Sequence, residues 1–252
     1  MCGRFVITSS PEALRRLFGY QEQPNLPARY NIAPTQPVPV VLAERSGRKF
    51  MLMRWGFLPA WAKDAKKFGL VINARSESVQ EKPAFKNAIR RRRCLIPADG
   101  YYEWHDMGAR KRPLFVYPAK GGPIAFAALW ETWIGPNGEE VDTVAIATTA
   151  ASKDLATFHP RMPVTIEPKA HELWLDCHNV EADVATSLLI APPQGTFAWH
   201  EVPTLVNSVA NDDARLIAPV STEESARLDA EAARPRAKPS RKPTNDDQGS
   251  LF

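Results

Sequence analysis

Cysteine is scarce: three residues in 252, at Cys2, Cys94 and Cys177, an odd number without C-x-x-C spacing. That argues against a disulfide framework and a zinc knuckle, and favours a reducing compartment. No stretch approaches the ~18 consecutive apolar residues of a membrane span. The opening Met1-Cys2-Gly3-Arg4-Phe5 lacks the charged region and apolar run of a signal peptide, so secretion is not expected. A large excess of one charge is also missing. Lys plus Arg total 32 against 28 Asp plus Glu, a net charge of +4. This excludes a histone-like polycation yet permits a local basic groove. Wholesale disorder is excluded by 44% hydrophobic residues, 7 Trp and 11 Phe, and the 23 prolines favour many short elements over a few long ones. The expectation is a soluble, cytoplasmic, globular protein without a metal or organic cofactor.

Residues 1–220 keep a globular mixture of apolar runs, turn residues and aromatics and read as one domain. Residues 221–252 read as a disordered tail: Arg234 to Pro243 alternates cations with proline, and aromatics are absent until Phe252, so little apolar area offsets the ordering entropy. Short strands are expected at Val38 to Leu42, Phe50 to Trp55, Cys94 to Ile96, Leu114 to Tyr117, Ile124 to Leu129, Val144 to Thr148 and Val164 to Ile166. Ser10-Pro11, followed by Leu14, Leu17 and Phe18 on one face, predicts an amphipathic helix over Pro11 to Phe18. Further helices are expected within Ala84 to Arg91, Lys169 to Leu175 and Val180 to Leu189. Without regular β-α-β alternation, an α+β domain with a largely antiparallel sheet and short flanking helices fits best.

Cys2 carries the most chemistry. Removal of Met1 leaves an N-terminal cysteine with two nucleophiles, an α-amine of ordinary pKa about 7.7–8.0 and a thiol of about 8.5. An aldehyde condenses with the amine to an imine, and the neighbouring thiol then closes a five-membered thiazolidine, a ring closure favoured by high effective molarity. The ordinary alternative is a small residue near a frayed terminus, with Cys94 and Cys177 as buried structural thiols. Three further segments stand out. Asn73-Ala74-Arg75-Ser76-Glu77 puts an amide and a guanidinium past a short apolar run. Asp99-Gly100 makes a turn before Tyr101-Tyr102-Glu103-Trp104, and His159-Pro160-Arg161 sets an imidazole beside a guanidinium in a Pro-bounded loop. Singly, each also reads as an ordinary turn, surface carboxylate or structural histidine.

These segments, with Arg29-Tyr30-Asn31-Ile32-Ala33-Pro34, Arg54-Trp55-Gly56-Phe57-Leu58-Pro59-Ala60-Trp61-Ala62 and Cys94-Leu95-Ile96-Pro97-Ala98, together resemble the SRAP family, the SOS response-associated peptidase-like proteins. The resemblance spans residues 2 to about 210. It implies a single α+β domain around an antiparallel, barrel-like sheet, and covalent capture of abasic sites in single-stranded DNA. By motif position it makes Cys2 the cross-linking nucleophile. Asn73 holds the cysteine and sugar, Glu103 shuttles protons, and His159 protonates the sugar oxygen. Weak strand cleavage through β-elimination follows as a side activity. Arg4, Arg75 and Arg161 are implied phosphate contacts, Trp61 and Trp104 stacking or wedge residues, and Asn31 and Thr148 lesser contacts. Trp104 reads equally as core packing, and Trp55 is assigned to the core. Pro160 departs from the acidic residue often found there in the family.

Arg90 to Arg93 reads either as a nucleic-acid flank or as a solvated helix end. The chain terminus, Gln248-Gly249-Ser250-Leu251-Phe252, resembles the bacterial sliding-clamp-binding pentapeptide, with Gly249 at the usual Leu position. A tether ending in Gln248, Leu251 and Phe252 suits an apolar groove on a clamp. The expected partner set is therefore abasic single-stranded DNA, and a clamp, for a monomer working at the nucleoid. Two rivals remain open: an N-terminal-nucleophile cysteine peptidase that cleaves its own Met1-Cys2 bond, and a single-strand-binding module with Cys2 inert.

Overall fold

The computed structural model describes residues 2–233. Strands β1 (Phe5–Ile7), β2 (Arg29–Ile32), β3 (Pro37–Glu44), β4 (Gly47–Trp55), β5 (Asn73–Arg75), β6 (Arg93–Ala98), β7 (Gly100–Asp106), β8 (Lys111–Pro118), β9 (Ile124–Ile134), β10 (Glu140–Ala150), β11 (Arg161–Pro163) and β12 (Phe197–Glu201) alternate with short helices. The helices are α1 (Pro11–Phe18), α2 (Ala65–Phe68), α3 (Ala88–Arg91), α4 (His171–Leu175), α5 (Ala182–Thr186) and α6 (Thr222–Ala233). The fold is α+β, as expected.

Strands β4, β3, β6, β9 and β10 form a five-stranded barrel, closed where β10 pairs with β4 through Thr143 and Arg54. That closing pair is parallel, as is β10 with β5; the remaining pairings are antiparallel. A second sheet runs in the order β12-β8-β7-β1-β2. The near-continuous apolar runs of β3, β6 and β9 form the barrel core, and Trp55, fully buried, donates its indole N–H to the Ile72 carbonyl at 3.0 Å. Phe5 packs edge-on against Trp55 and Phe126, with ring centroids at 5.2 and 5.9 Å, which anchors β1 to the barrel.

Helix α1 is the sequence signal realised: Ser10 Oγ accepts the Ala13 N–H at 3.2 Å, Pro11 opens the helix, and Gly19 closes it at φ 72°. Leu14 and Phe18 are its buried face. Other expectations need correction. The strand expected over Val164 to Ile166 lies at Arg161–Pro163, because those residues meet Thr148–Ala150 of β10; Thr165 keeps only a single bridge to Phe126. The helices expected within 84–91 and 180–189 shorten to α3 and α5, and the one within 169–175 starts as a 3-10 turn at Pro168–Ala170.

The segment expected to be disordered from residue 221 is helical over Thr222–Ala233. No side chain of α6 is buried; polar contacts hold it instead. Arg110 forms an ion pair with Glu201 at 2.8 Å and donates to Asp229 at 2.7 Å, Arg112 pairs with Asp229, and Ser225 Oγ donates to Glu201 at 2.6 Å. The composition of the segment hid this because its partners are charges just before β8, on β8 and on β12. The clamp-like Gln248, Leu251 and Phe252 lie outside the described residues. Among the described residues no helix is long and apolar enough to cross a membrane.

Candidate active site

Pairing, not sequence proximity, assembles the site. Strand β7 lies against β1, with Phe5 opposite Tyr101 and the Tyr102 N–H donating to the Arg4 carbonyl at 3.0 Å. This brings Glu103 beside the chain start. Strand β10 carries β5 on one edge segment, Ile146 opposite Asn73, and β11 on the other, Ala150 opposite Arg161. It thereby delivers Asn73 and the His159 loop to the same end of the barrel.

Asn73 Nδ2 donates to the Cys2 carbonyl at 3.0 Å, fixing the Cys2 backbone. Its Oδ1 is buried and has no hydrogen-bond partner among the described residues. Cys2 is fully buried, its Sγ 3.9 Å from the Arg4 carbonyl oxygen. Burial, and then the negative charge of Glu103, push the Cys2 thiol well above its ordinary range. The thiol therefore rests protonated at neutral pH. Glu103 is 4% exposed, and that burial raises its carboxyl, with the positive charge of His159 among the influences pulling it back. Cys2, Asn73, Glu103 and His159 are thus electrostatic and hydrogen-bonding neighbours. His159 is half-buried; its Nδ1 lies 3.0 Å from the Arg161 amide nitrogen and 2.8 Å from the Arg161 carbonyl oxygen, which fixes the ring's orientation. Among the described residues no three His, Cys, Asp or Glu side chains gather as a metal site.

The implied DNA contacts are placed unequally. Arg75 is exposed and, with Trp61 at 57% exposure, Asn73 and Phe85, lines a cleft of about 450 Å³. Arg161 holds a bidentate pair with Glu77 at 2.9 and 3.0 Å and donates to the Thr148 carbonyl at 2.6 Å and to its hydroxyl at 3.2 Å. Thr148 is fully buried beneath it. Arg4 donates to Asn31 Oδ1 at 2.7 Å and to the Val206 carbonyl at 2.8 Å, while the Asn31 amide reaches the carbonyls of Val206, Ser208 and Asn211. Asn31, 1% exposed, is therefore tied up in holding the 204–211 loop. Trp104 is half-buried, donates to Asn207 Oδ1 at 2.8 Å, and has the Arg4 guanidinium 6.0 Å from its ring centroid.

In the arginine run, Arg90 and Arg91 are exposed but Arg93 is not part of any surface patch. It is 1% exposed and donates to the carbonyls of Ile89, Trp174, Asp176 and Val180. Cys94 is fully buried and Cys177 only half-buried. Two residues escaped the sequence reading. Glu77 stands inside the quoted Asn73 block, yet only the fold pairs it with Arg161. Asp99 accepts the amides of Thr8 and Ser9 at 2.6 and 2.7 Å, fastening the end of β1 behind Cys2; its Asp-Gly context signalled a turn and nothing more.

Known proteins share this arrangement of sequence. The family model described as SOS response associated peptidase (SRAP) matches residues 1–209. The abasic site processing protein YoqW of Bacillus subtilis (strain 168) is 34% identical over 221 residues, covering 86% of this chain and 99% of the relative. YedK of Escherichia coli (strain K12), also named an abasic site processing protein, is 33% identical over 230 residues, covering 87% and 100%. HMCES of Gallus gallus, with the same descriptive name, is 31% identical over 264 residues, covering 87% and 78%. A solved structure of a protein from Bacteroides thetaiotaomicron superposes with TM-score 0.77 at 23% identity, over 87% of this chain and 100% of that one, a likeness of fold. With most of its length matched by the family model, and by relatives covered nearly end to end, the chain belongs to the SOS response associated peptidase (SRAP) family.

Proposed function

We propose that this protein processes abasic sites in single-stranded DNA by capturing them covalently on Cys2. The observation that carries the reading is the 3.0 Å hydrogen bond from Asn73 to the Cys2 carbonyl, made where Glu103 and His159 also converge. The relatives' names supply the substrate class.

The chemistry requires Met1 to be removed. The Cys2 amine then attacks the C1′ aldehyde of the open-chain sugar, and the carbinolamine loses water to give an imine. The thiol adds across the C=N bond; its proton passes to the nitrogen, and the product is a thiazolidine plus one water. A buried carboxyl with a raised pKa suits Glu103 to giving and taking these protons near neutrality. The protonated resting thiol favours the amine as first nucleophile, with the sulfur acting second. His159, oriented through Nδ1, serves the sugar oxygen during ring opening and again during reversal. The imine also opens a β-elimination route, hence weak lyase activity. Arg75, Arg161 and Arg4 offer charge to phosphates, and Trp61 offers an exposed ring. Such work places the protein, as a monomer, at damaged DNA in the nucleoid.

The test is a denaturing gel of the Met1-free protein with a single-stranded oligonucleotide carrying one abasic site. A shifted band restricted to abasic DNA and lost in Cys2→Ser is expected. A band equally strong with Cys2→Ser refutes the reading; a complex that never survives denaturation favours simple binding. Deletion of Gln248 to Phe252 is expected to abolish clamp pull-down, and unchanged pull-down removes the clamp from the partner set.

A further inference from the structure

An aromatic cluster that none of the proposed chemistry uses lies beside the His159 loop. Phe158, immediately before His159, has its ring centroid 5.6 Å from that of Trp199 on β12 and 6.2 Å from that of His105 on β7. Trp199 is 39% exposed, although Phe158 and His105 are half-buried.

The register explains why these rings meet. On β7, Glu103 and His105 are two residues apart and share a face. Val116 of β8 stands opposite both Tyr101 and Trp199, so Tyr101, Glu103, His105 and Trp199 all belong to that same face. The contact of Tyr101 with Phe197, two residues before Trp199, agrees, with centroids at 6.2 Å. The face is core at Tyr101, catalytic at Glu103, and emerges as partly exposed rings at His105 and Trp199. Asp154 fixes the loop in place: its carboxylate accepts the Leu155 N–H at 3.1 Å and the Gly195 N–H at 2.9 Å, joining the segment that bears Phe158 to the one entering β12.

We infer that Trp199, backed by Phe158 and His105, is a base-stacking platform for the nucleotide next to the captured abasic site, on the flank opposite Trp61. The inference rests on the single-strand reading above. A lone exposed tryptophan is unremarkable on a protein surface. Three rings in contact, continuous with the strand face that carries Glu103 and adjoining the loop that carries His159, form a π surface on which an unstacked base next to the site can stack. Trp61 shares its cleft with Asn73, whereas Trp199 reaches the His159 loop through Phe158 and the Glu103 face through the strand register, which in this proposal sets the two rings on different flanks of the sugar. Trp104 cannot serve this flank, because it lies on the other face of β7 with its indole N–H bound to Asn207.

The test uses single-stranded oligonucleotides in which a tetrahydrofuran replaces the abasic sugar. That analogue has no aldehyde, so fluorescence anisotropy reads binding without capture. One base stacked on an aromatic ring corresponds to about 5- to 150-fold in affinity. Trp199→Ala is expected to weaken binding within that range and Trp199→Phe by less than about threefold. With oligonucleotides that keep bases on one flank only, the loss is expected to persist on one flank and vanish on the other. Fluorine NMR of the fluorotryptophan-labelled wild type provides a readout independent of the variant's folding, with the Trp199 resonance shifting on addition of DNA. The inference is overturned if the alanine variant binds like wild type, if its loss is the same on both flanks, or if the Trp199 resonance stays put. Failure of covalent capture with natural abasic DNA leaves this binding result standing, so the two ideas fail separately; a wild type that binds no single strand overturns both.

Discussion

Asn73 separates positioning from stability, and the size of each effect follows from its two polar atoms. Replacing it with alanine removes the bond to the Cys2 carbonyl, worth ~0.5–1.5 kcal/mol, and also removes a buried, unpartnered Oδ1 that costs ~1–3 kcal/mol. The two changes oppose each other. Net stability should fall between about 0.5 kcal/mol of loss and about 2.5 kcal/mol of gain, and Tm between ~2 °C lower and ~10 °C higher at ~2–4 °C per kcal/mol for a domain of this size. Capture should suffer far more, because a nucleophile displaced by about 1 Å loses on the order of 100-fold in rate. Asn73→Asp should be as slow and less stable, since a carboxylate has no N–H for the Cys2 carbonyl and takes a charge into the site. The assay pairs single-turnover cross-linking on denaturing gels with thermal denaturation of the same preparations. Wild-type capture by Asn73→Ala refutes the positioning argument outright. A rate loss accompanied by collapse of Tm refutes it too, by showing a folding defect.

Three other perturbations follow from the described contacts. Burial raises Glu103, so between its ordinary value of 4.5 and its raised pKa the folded state binds more protons than the unfolded one. That contribution is fully present below 4.5 and is lost as pH rises through the folded pKa. Glu103→Gln should therefore be more stable than wild type at neutral pH, with the difference shrinking on acidification in thermal melts; parallel pH profiles contradict this. The same variant should flatten the pH dependence of capture. Glu77 is held below the ordinary carboxylate range by its hydrogen bonds to Arg161. Glu77→Gln should release Arg161 for a phosphate and tighten single-strand binding at low salt by up to about fivefold, the range of an exposed ion pair; weaker binding would instead make Glu77 an aligning group for Arg161. Gly100→Ala places a Cβ 2.5 Å from the Phe115 ring and 2.6 Å from the Val116 carbonyl oxygen. It should cost ~1–3 kcal/mol, lowering Tm by ~2–12 °C while each folded molecule still captures DNA, and an unchanged melt contradicts the packing.

The barrel strands were legible because burial writes itself into composition: β3, β6 and β9 are near-continuous apolar runs. Of the second sheet only β8 was, at Leu114 to Tyr117. Strand β7 reads Gly-Tyr-Tyr-Glu-Trp-His-Asp and β12 reads Phe-Ala-Trp-His-Glu, where site chemistry replaces the alternation that announces a strand. Strands β1, β5 and β11 have three residues each, below the length at which periodicity speaks, although they carry or adjoin Cys2, Asn73 and His159. The identity of the four central residues came through their motif context, and their meeting came only through the pairings of β1 with β7 and of β10 with β5 and β11. Arg93 shows the opposite error of local reading. Four arginines in a row suggest solvent, yet backbone carbonyls let the last of them enter the core.

The bonds from Arg4 to Val206 and from Asn31 to Val206 and Asn211 span nearly the whole domain. The ribosome makes Arg4 about 10–40 s before Val206 at ~5–20 residues per second. Until that loop arrives, Arg4 lacks its Val206 acceptor and the Asn31 amide lacks all three of its carbonyl partners. A chain truncated before Val206 would leave the Asn31 amide with its donors unmet beside β1. The long-range tie thus makes the settling of β1 and β2 a mark that translation of the domain has finished.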